Sequence, residues 1–295
     1  MKKSRISIFL GLLLFLSIFH FFSVKSHTTG ELDTELSVKM PPEIIELELK
    51  DHSESDEIDL NPGESIEVTC EGIVKSFYEW ESISNGNVWA QVYFDGEKDN
   101  IDDDSVHLGI NNSCSLEEIG NHEVEVSCDF EMKHYSKPGD WKCFLEVEDI
   151  YGWSDNKTTS NQVTELLAFG YSNEEIDFGT LGWGDENIRN REIQNLGNVE
   201  FDIGVNVSGD EQIEDSSMIC ESGYLSNSNF KSGLDSSFEN LNPVENGINL
   251  GLSATVGNSE NPIPNQDLFF GLKVPSDSNI EGSCTGNLIL NILYS

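Results

Sequence analysis

The sequence predicts an all-β protein of two tandem antiparallel β-sandwiches behind an N-terminal signal or anchor helix. Three observations predict this fold: an apolar start, long runs in which apolar and polar residues alternate, and six cysteines divided four and two between the halves. Alternation with a period of two is typical of strands with one buried face. We therefore expect an exported, two-domain β protein within the 295 residues.

Residues 1–26 have the layout of an export signal. Three basic residues lead into an apolar run from Ile6 to Val24, as in a secretory signal peptide. The run is close to the ~20 residues that span a bilayer. Two alternatives therefore stay open, cleavage near Ser26 or retention as a membrane anchor, with the polar residues 27–40 as a linker in both.

Alternating runs place the first sandwich at residues 41–160. A strand near 87–96 is closed by Asp95-Gly96 and preceded by a turn at Asn85-Gly86, a pair typical of tight turns. No amphipathic helix of convincing length is present. The side chains that we expect to point inward are Ile45, Leu47 and Leu49, then Ile66, Val68 and Cys70, then Val124, Val126, Cys128, Phe130 and Met132, and finally Trp141, Cys143, Leu145 and Val147.

The second sandwich is predicted at residues 161–295. Residues 192–209 have the pattern of a hairpin turned at Gly197-Asn198, and the last strand runs to the C-terminus, where we expect the chain to end with the fold. The expected inward side chains are Val199, Phe201, Ile203, Val205 and Val207, then Ile248, Leu250, Leu252, Ala254 and Val256, then Leu268, Phe270, Leu272 and Val274.

The charge of the chain limits its partners. Sixteen basic and 54 acidic residues give a formal net charge of −38. Such a surface repels nucleic-acid phosphates and anionic lipid headgroups, and it favours cations or basic partners. We expect no nucleic-acid partner, and membrane contact only through the N-terminal segment.

No catalytic motif is present, so we expect no enzyme. The sequence lacks GxSxG, HExxH and CxxC patterns, and its histidines are scattered. The densest acidic stretch, "FDGEKDNIDDDSVH" (94–107), offers hard oxygen ligands of the kind that calcium prefers. Solvated acidic loops are also common in a chain this negative. Calcium is therefore the sole cofactor considered, with candidate ligands Asp95, Asp99, Asp102 and Asp104.

Several motifs carry a resemblance to known surface domains. "PPEIIELELKD" (41–51), "LNPGESIEVTC" (60–70) and "PGDWKCFLEVEDIYGWSDN" (138–156) resemble the Ig-like domains of archaeal and bacterial cell-surface proteins. "IDFGTLGWGDENIRNREIQNLGNVEFDI" (176–203) and "KVPSDSNIEGSCTGNLILNI" (273–292) are similar to the β-sandwich modules that often follow them. The resemblance implies a strand at the Asp-Phe-Gly-x-Leu motif and a surface location. It hardly specifies ligand or activity.

The resemblance also bears on Trp141, two residues before Cys143. In Ig-like sandwiches an aromatic residue at this distance from the second inter-sheet cysteine anchors a corner. Tyrosine is usual there, so the hydrogen bond of the corner cannot be assumed for an indole. The same alignment makes Cys143 the partner of Cys70.

We expect the six cysteines to form disulfides, since they follow an export signal. Cys70 and Cys143 are each in phase with inward residues of their strands, and we expect the two strands to lie in opposite sheets. Cys128 also points inward, so it remains a rival partner for Cys70, as does Cys114. Our expected pairs are Cys70–Cys143, Cys114–Cys128 and Cys220–Cys284.

Two kinds of surface residue complete the candidate sites. The sequons at Asn111, Asn156 and Asn206 would accept glycans in a host that glycosylates. Trp153 and Trp183 lie beside glycine or aspartate in turns, so we expect them to be the most exposed tryptophans and to contact a glycan or a peptide.

These features predict an exported structural or adhesive cell-surface protein, released or anchored by its N-terminal helix. Its partners would be other surface proteins, glycans or further copies of itself. One alternative is a filament subunit in which a free strand such as 43–51 is added to a neighbour's sheet. Another is an extracellular glycan-binding accessory module.

Overall fold

The computed structural model describes residues 40–293, except 54, 85–86, 173–174, 211, 214, 245–259, 261–262 and 277–278. The regular structure in this part of the chain is almost entirely β-strand. The exceptions are the α-helix α1 (Glu81–Ser84) and two 3-10 turns. The all-β prediction is confirmed. No helix of the described residues is long and apolar enough to cross a membrane. The predicted N-terminal signal, the turn at 85–86 and the strand at 247–257 lie outside the described residues.

The first sandwich consists of two facing antiparallel sheets. Its strands are β1 (Glu43–Asp51), β2 (Ser65–Lys75), β3 (Asn87–Phe94), β4 (His107–Asn111), β5 (Ser115–Gly120), β6 (Glu123–Lys133), β7 (Gly139–Glu148) and β8 (Ser154–Val163). One sheet has the order β1-β2-β6-β5 and the other β4-β3-β7-β8. The core between them contains the expected inward residues of β2, β6 and β7, because their alternation places every second side chain there.

One predicted inward position in β1 is wrong. Ile45 is 40% exposed, whereas Ile44 is buried together with Leu47 and Leu49. The pairing of β1 with β2 shifts register between Ile44 and Glu46. A β-bulge inserts one extra residue into a strand, so the side chains before it change face.

The same strand is not free to leave the domain. β1 pairs with β2 along one edge, and side chains of β8 bind its other edge. The Asp155 carboxylate accepts from the Ile44 N–H at 2.9 Å, Lys157 donates to the Ile45 carbonyl at 2.6 Å, and Asn161 donates to the Leu49 carbonyl at 2.9 Å. The expectation of a free donor strand at 43–51 is therefore wrong, because both edges of this strand are occupied.

The cysteines form the three expected pairs. Cys70–Cys143 joins β2 to β7 across the sandwich, and Cys114–Cys128 joins the start of β5 to β6. Cys220–Cys284 lies in the second half of the chain. Cys128 is the direct cross-strand neighbour of Cys70, which explains why the sequence alone left this rival open. The presence of disulfides indicates an oxidising compartment.

The second sandwich packs a wide sheet against two narrow ones. Its strands are β9 (Phe169–Tyr171), β10 (Glu186–Asn195), β11 (Asp202–Ser208), β12 (Ser216–Ser222), β13 (Tyr224–Ser226), β14 (Phe230–Gly233), β15 (Asn242–Pro243), β16 (Asn265–Lys273), β17 (Glu281–Thr285) and β18 (Asn287–Leu293). The wide sheet has the order β15-β14-β16-β10-β9, and the narrow ones are β11-β18 and β13-β12-β17. The side chains of β11 and β16 meet in a separate core.

Two predicted local structures in this half are wrong. The run 192–209 is not a hairpin, since β10 pairs with β9 and β16 while β11 pairs with β18 in another sheet. The motif from Asp177 to Leu181 is not a strand. Its backbone lies beside β10, but its carbonyls bind side chains of β10 instead of forming backbone ladder hydrogen bonds. Arg189 donates to the Asp177 carbonyl and Asn187 to the Phe178 carbonyl.

The turn between β10 and β11 instead connects the two sandwiches. Asn198, 2% exposed, donates from Nδ2 to the Ser136 and Thr164 carbonyls at 3.0 and 2.9 Å, and its Oδ1 accepts from the Leu166 N–H at 2.6 Å. Leu196 accepts from the Gly63 N–H at 2.9 Å. The Asn198 amide therefore binds the first sandwich at Ser136 and the connecting segment at Thr164 and Leu166. The predicted domain limits at residues 160 and 161 stay predictions.

Asn198→Leu is expected to destabilise the chain by about 2 kcal/mol or more, because two carbonyls and one N–H are left buried without partners. We further expect one urea transition for the wild-type chain and two for Asn198→Leu, since the sandwiches lose a shared contact. Circular dichroism and intrinsic fluorescence during urea unfolding measure both effects. Asn206→Leu, at the exposed position of β11, is the matched control. Coincident transitions with an unchanged midpoint in Asn198→Leu would contradict the prediction.

Candidate functional site

Exposed aromatic and apolar side chains gather in the first sandwich where β2 and β7 end. We name Phe77, Tyr78, Ile150, Tyr151 and Trp153 the aromatic turn patch. Four of them are exposed by 41–51%, and the rings of Tyr78 and Tyr151 are 4.9 Å apart. The predicted exposure of Trp153 is thus observed at 45%. Exposed apolar side chains grouped in this way on an acidic domain are typical of a contact surface.

A buried aspartate fixes the shape of this patch. Asp149, 3% exposed, accepts from the N–H groups of Tyr151 and Trp153 at 2.8 and 3.0 Å. Gly152 has a φ of +80°, a conformation that glycine adopts without strain. The Ile150 N–H donates to the Ser82 carbonyl at 3.0 Å, which joins the turn to α1. The backbone of the turn is therefore held before any partner arrives, so binding costs little conformational entropy.

The chemistry of the aromatic turn patch suits two kinds of partner. Flat aromatic faces stack on apolar surfaces and attract cations. Glu79 and Glu81 lie next in the chain and are exposed. A partner with sugar rings, or with lysine and arginine side chains, matches this combination.

The second predicted binding tryptophan lies on the other sandwich. Trp183 is 61% exposed in the turn before β10, where the Gly182 N–H donates to the Asp185 carboxylate at 2.9 Å. It borders a groove between the layers of the second sandwich. Trp153 and Trp183 thus belong to two separate surfaces rather than to one site.

This groove has a volume of about 1200 Å³. One wall is the segment 175–182 and the other is β17 and β18, with the wide sheet as its floor. Polar and apolar side chains both line it, and the apolar ones include Ile176, Phe178, Leu181, Met218, Phe270, Leu288 and Leu290. Sequence reasoning missed the groove. The signal that pointed to it is the uncharged run "NLILNIL" of β18, which is apolar at too many positions for one buried face.

The predicted calcium ligands are not assembled. Asp95 forms an ion pair with Lys142 at 2.6 Å, and Asp104 accepts from the Tyr135 hydroxyl at 2.7 Å. Among the described residues, no three His, Cys, Asp or Glu side chains lie close enough to hold a metal ion. Asp99 and Asp102 are exposed members of the same loop. The Asp95–Lys142 ion pair and the Tyr135–Asp104 hydrogen bond help to hold the shape of this loop.

Calcium binding at Asp95, Asp99, Asp102 and Asp104 therefore stays a prediction without support from their placement. Millimolar calcium would raise the melting temperature if a native site existed, since a ligand specific for the folded state stabilises it. From the placement of these residues we expect equal melting temperatures in calcium and in chelator, measured by calorimetry at matched ionic strength. A higher melting temperature in calcium than in chelator would instead support a calcium site at these residues.

A buried histidine lies beside this loop. His107 is 1% exposed; its Nδ1 accepts from the Gly109 N–H at 2.8 Å, and its Nε2 is 2.6 Å from the Gln91 amide. Burial lowers the pKa of His107 below its ordinary value of 6.5. Between the lowered pKa and pH 6.5, the unfolded chain binds more protons, so stability rises with pH in this window. The stability associated with the neutral His107 ring is lost as the pH falls below its ordinary pKa of 6.5.

We predict that His107→Gln removes this part of the pH dependence. The difference in free energy of unfolding between wild type and variant should shrink as the pH falls from about 7.5 to about 5, since only the wild type must keep a buried ring neutral. Urea unfolding at each pH measures the difference. A constant difference for His107→Gln across this pH range would contradict the prediction.

The three sequons differ in accessibility. Asn156 and Asn206 are exposed on β8 and β11. The Asn111 side chain is engaged, because its amide donates to the Asp129 carbonyl at 2.9 Å and its oxygen accepts from the Ser113 N–H at 2.8 Å. Glycosylation at all three stays a prediction, and Asn156 and Asn206 are the more accessible acceptors.

Comparison with known proteins gives only remote structural likenesses. No protein-family model matches this chain, and no curated protein matches it. The chain is similar to the CsuC–CsuE chaperone–tip adhesion subunit pre-assembly complex of Acinetobacter baumannii Csu pili, with 11% identity, a TM-score of 0.36, and coverage of 75% of this chain and 89% of that chain.

Two further solved structures show likenesses of the same order. The chaperone–tip adhesin complex of CFA/I fimbriae has 13% identity and a TM-score of 0.32, with 84% of each chain covered. The C-terminal domain of the Streptococcus pyogenes antigen I/II-family protein AspA has 11% identity and a TM-score of 0.27, with 84% of this chain and 99% of that chain covered. At such identities and TM-scores, the likenesses carry no argument about family, ligand or activity.

Proposed function

We propose that the chain is an exported cell-surface protein with a structural or adhesive role and without catalysis. The observation that carries this proposal is the aromatic turn patch, in which large side chains are exposed on a turn fixed by the buried Asp149. The three disulfides support an extracellular setting. The partner would be another surface protein or a glycan.

A rigid patch of this kind suits adhesion. Exposed aromatic residues dominate the energetics of many protein contacts, because they bury a large area at a small entropic cost. The remainder of the surface is strongly acidic, with a chain charge of −38, so long-range attraction selects basic partners before contact. The patch then supplies the apolar contact on arrival.

A photo-crosslinking experiment on intact cells tests the proposal. A photoreactive phenylalanine analogue replaces Trp153 in one variant and Ile119 in another; the two side chains are 45% and 46% exposed. We expect covalent adducts with a distinct surface protein or glycan only from position 153. Equal adducts from both positions, or adducts from neither, would overturn the proposed role of the patch.

The groove beside β18 favours the filament subunit as a second candidate function. An open layer edge next to a groove that contains apolar side chains suits strand addition, although β1 is not the donated strand. Concentration-dependent fibres in electron micrographs of the purified chain would support this candidate over the first. A chain that stays monomeric at every accessible concentration would count against it.

The exposed tryptophans favour the glycan-binding accessory module as a third candidate. Trp153 and Trp183 are the exposed tryptophans among the described residues, and indole faces stack on sugar rings. Binding on a glycan array that Trp153→Ala or Trp183→Ala abolishes would support this candidate. Binding that neither variant weakens would contradict it.

A further inference from the structure

β18 has an unprotected edge. Within the described residues it pairs with β11 and with no other strand. Its seven residues, Asn287–Leu293, contain no charge, no proline and no glycine, and they alternate between half-buried and exposed. An edge strand presents a row of N–H and C=O groups, so a long apolar edge is a template for pairing with another strand.

Other described edges of the chain are protected against such pairing. Side chains of β8 bind the edge of β1, as described above. β5 carries Glu117 and Glu118, and β4 is short and contains Gly109 with a φ of +91°. Charges, short length and irregular backbone are the devices by which native sheets avoid edge pairing. β18 has none of these devices, although the chain as a whole is rich in acidic residues.

The core beneath β18 is also incompletely covered. Its inward side chains Leu288, Leu290 and Ile292 are only half-buried, whereas the inward side chains of β7 are completely buried. The opposite wall of the groove contributes Ile176, Phe178 and Leu181. An extended segment lying between the two walls would pair with the edge of β18 and direct alternate apolar side chains into the groove.

The charge around the groove favours one kind of occupant over another. Three of the charged residues that line it are acidic and exposed, Glu175, Asp177 and Glu281, and one, Arg191, is basic, so the acidic charge is in excess. A second copy of this chain, the occupant in the filament alternative, would bring another net charge of −38, so a basic segment matches the groove better. A segment with lysine or arginine at its ends would be attracted.

We propose that β18 and the groove beside it accept an extended segment of a partner protein, apolar on one face and flanked by basic residues. The segment completes the narrow layer of the second sandwich as an added strand. This inference goes beyond the proposed function and does not rest on the aromatic turn patch, which lies on the other sandwich. A negative result for strand addition at β18 therefore does not contradict the proposed role of the aromatic turn patch, and the reverse also holds.

The test uses a labelled peptide and the full chain. The probe is Lys-Lys-Val-Thr-Ile-Thr-Val-Thr-Val-Lys-Lys, and fluorescence anisotropy measures its dissociation constant. One comparison peptide replaces the central threonine by proline, which removes an N–H from the ladder; another replaces the lysines by glutamates. We expect each to bind at least about tenfold more weakly than the probe.

A matched pair of variants locates the binding. Ile289→Lys places a charge on the edge of β18, and Ile119→Lys places the same charge on β5; both isoleucines are 46% exposed. We expect Ile289→Lys to weaken probe binding at least about tenfold, since an edge lysine blocks strand pairing and repels the basic flanks. Ile119→Lys should bind as wild type does. Unchanged melting temperatures exclude unfolding as the cause.

Three outcomes would overturn the proposal. If no peptide binds to a folded chain, the groove does not accept an added strand. If sedimentation shows that Ile289→Lys disrupts a dimer present without peptide, the occupant is a second copy. If both isoleucine variants weaken the probe equally, the binding is general attraction to an acidic surface.

Discussion

Replacing both Cys70 and Cys143 by alanine is expected to lower the free energy of unfolding by about 4 kcal/mol, because the bridge closes a loop of 73 residues in the unfolded chain. Removal of two completely buried sulfur atoms adds to the loss. Urea unfolding of the purified double variant measures the effect. The matched control is Cys114→Ala with Cys128→Ala, whose loop of 14 residues gives about 3 kcal/mol.

Two results would contradict this prediction. One is a larger loss from the short loop than from the long one. The other is a peptide joining Cys70 to Cys128 in a digest prepared without reductant. Cys128 faces Cys70 across β2 and β6, so mass spectrometry of that digest is the decisive measurement.

Trp141→Ala is expected to destabilise the first sandwich by about 3–5 kcal/mol, the cost of removing the largest completely buried side chain. The indole packs edge-on against Phe94, with ring centroids 6.2 Å apart. Its N–H donates to the Lys137 carbonyl, four residues earlier, at 2.7 Å. This hydrogen bond plays the part that a tyrosine hydroxyl plays in the corner of Ig-like sandwiches.

Trp141→Phe separates the two contributions. It keeps much of the ring packing but leaves the Lys137 carbonyl without its donor, so we expect a loss of about 1–3 kcal/mol. Trp153→Ala is the matched control, and as a surface substitution it should change stability by less than about 0.5 kcal/mol. Thermal and urea unfolding of the three variants provide the comparison. Equal losses from Trp141→Ala and Trp153→Ala would contradict the burial argument.

The periodicity of the sequence was sufficient for most of the first core. β6 and β7 are regular along their length, so the period of two assigned every inward side chain from Val124 to Met132 and from Trp141 to Val147. It failed at Ile45, because a bulge adds one residue without leaving a signal in the alternation. It also failed at the turn of residues 197–198, because local pattern does not say which sheet receives the next strand.

The candidate sites were predictable only where turn chemistry decides exposure. Asp149 and Gly152 mark a tight turn, which placed Trp153 at the surface. Tyr78 joins the same patch by packing against Tyr151, a contact between distant residues that no short sequence window contains. The groove beside β18 depends on the separation of two layers, and the failure to assemble calcium ligands depends on ion pairs with distant residues such as Lys142.

The bridge between β2 and β7 has a further consequence if the chain carries mechanical load along its length. When an unbridged domain is pulled apart, each released residue lengthens the molecule by roughly 3.5 Å. The Cys70–Cys143 bridge keeps the 73-residue loop from extending. This shortens the fully extended chain by roughly 250 Å at this length per residue. A tether built this way stays short under tension, and reductant lengthens it.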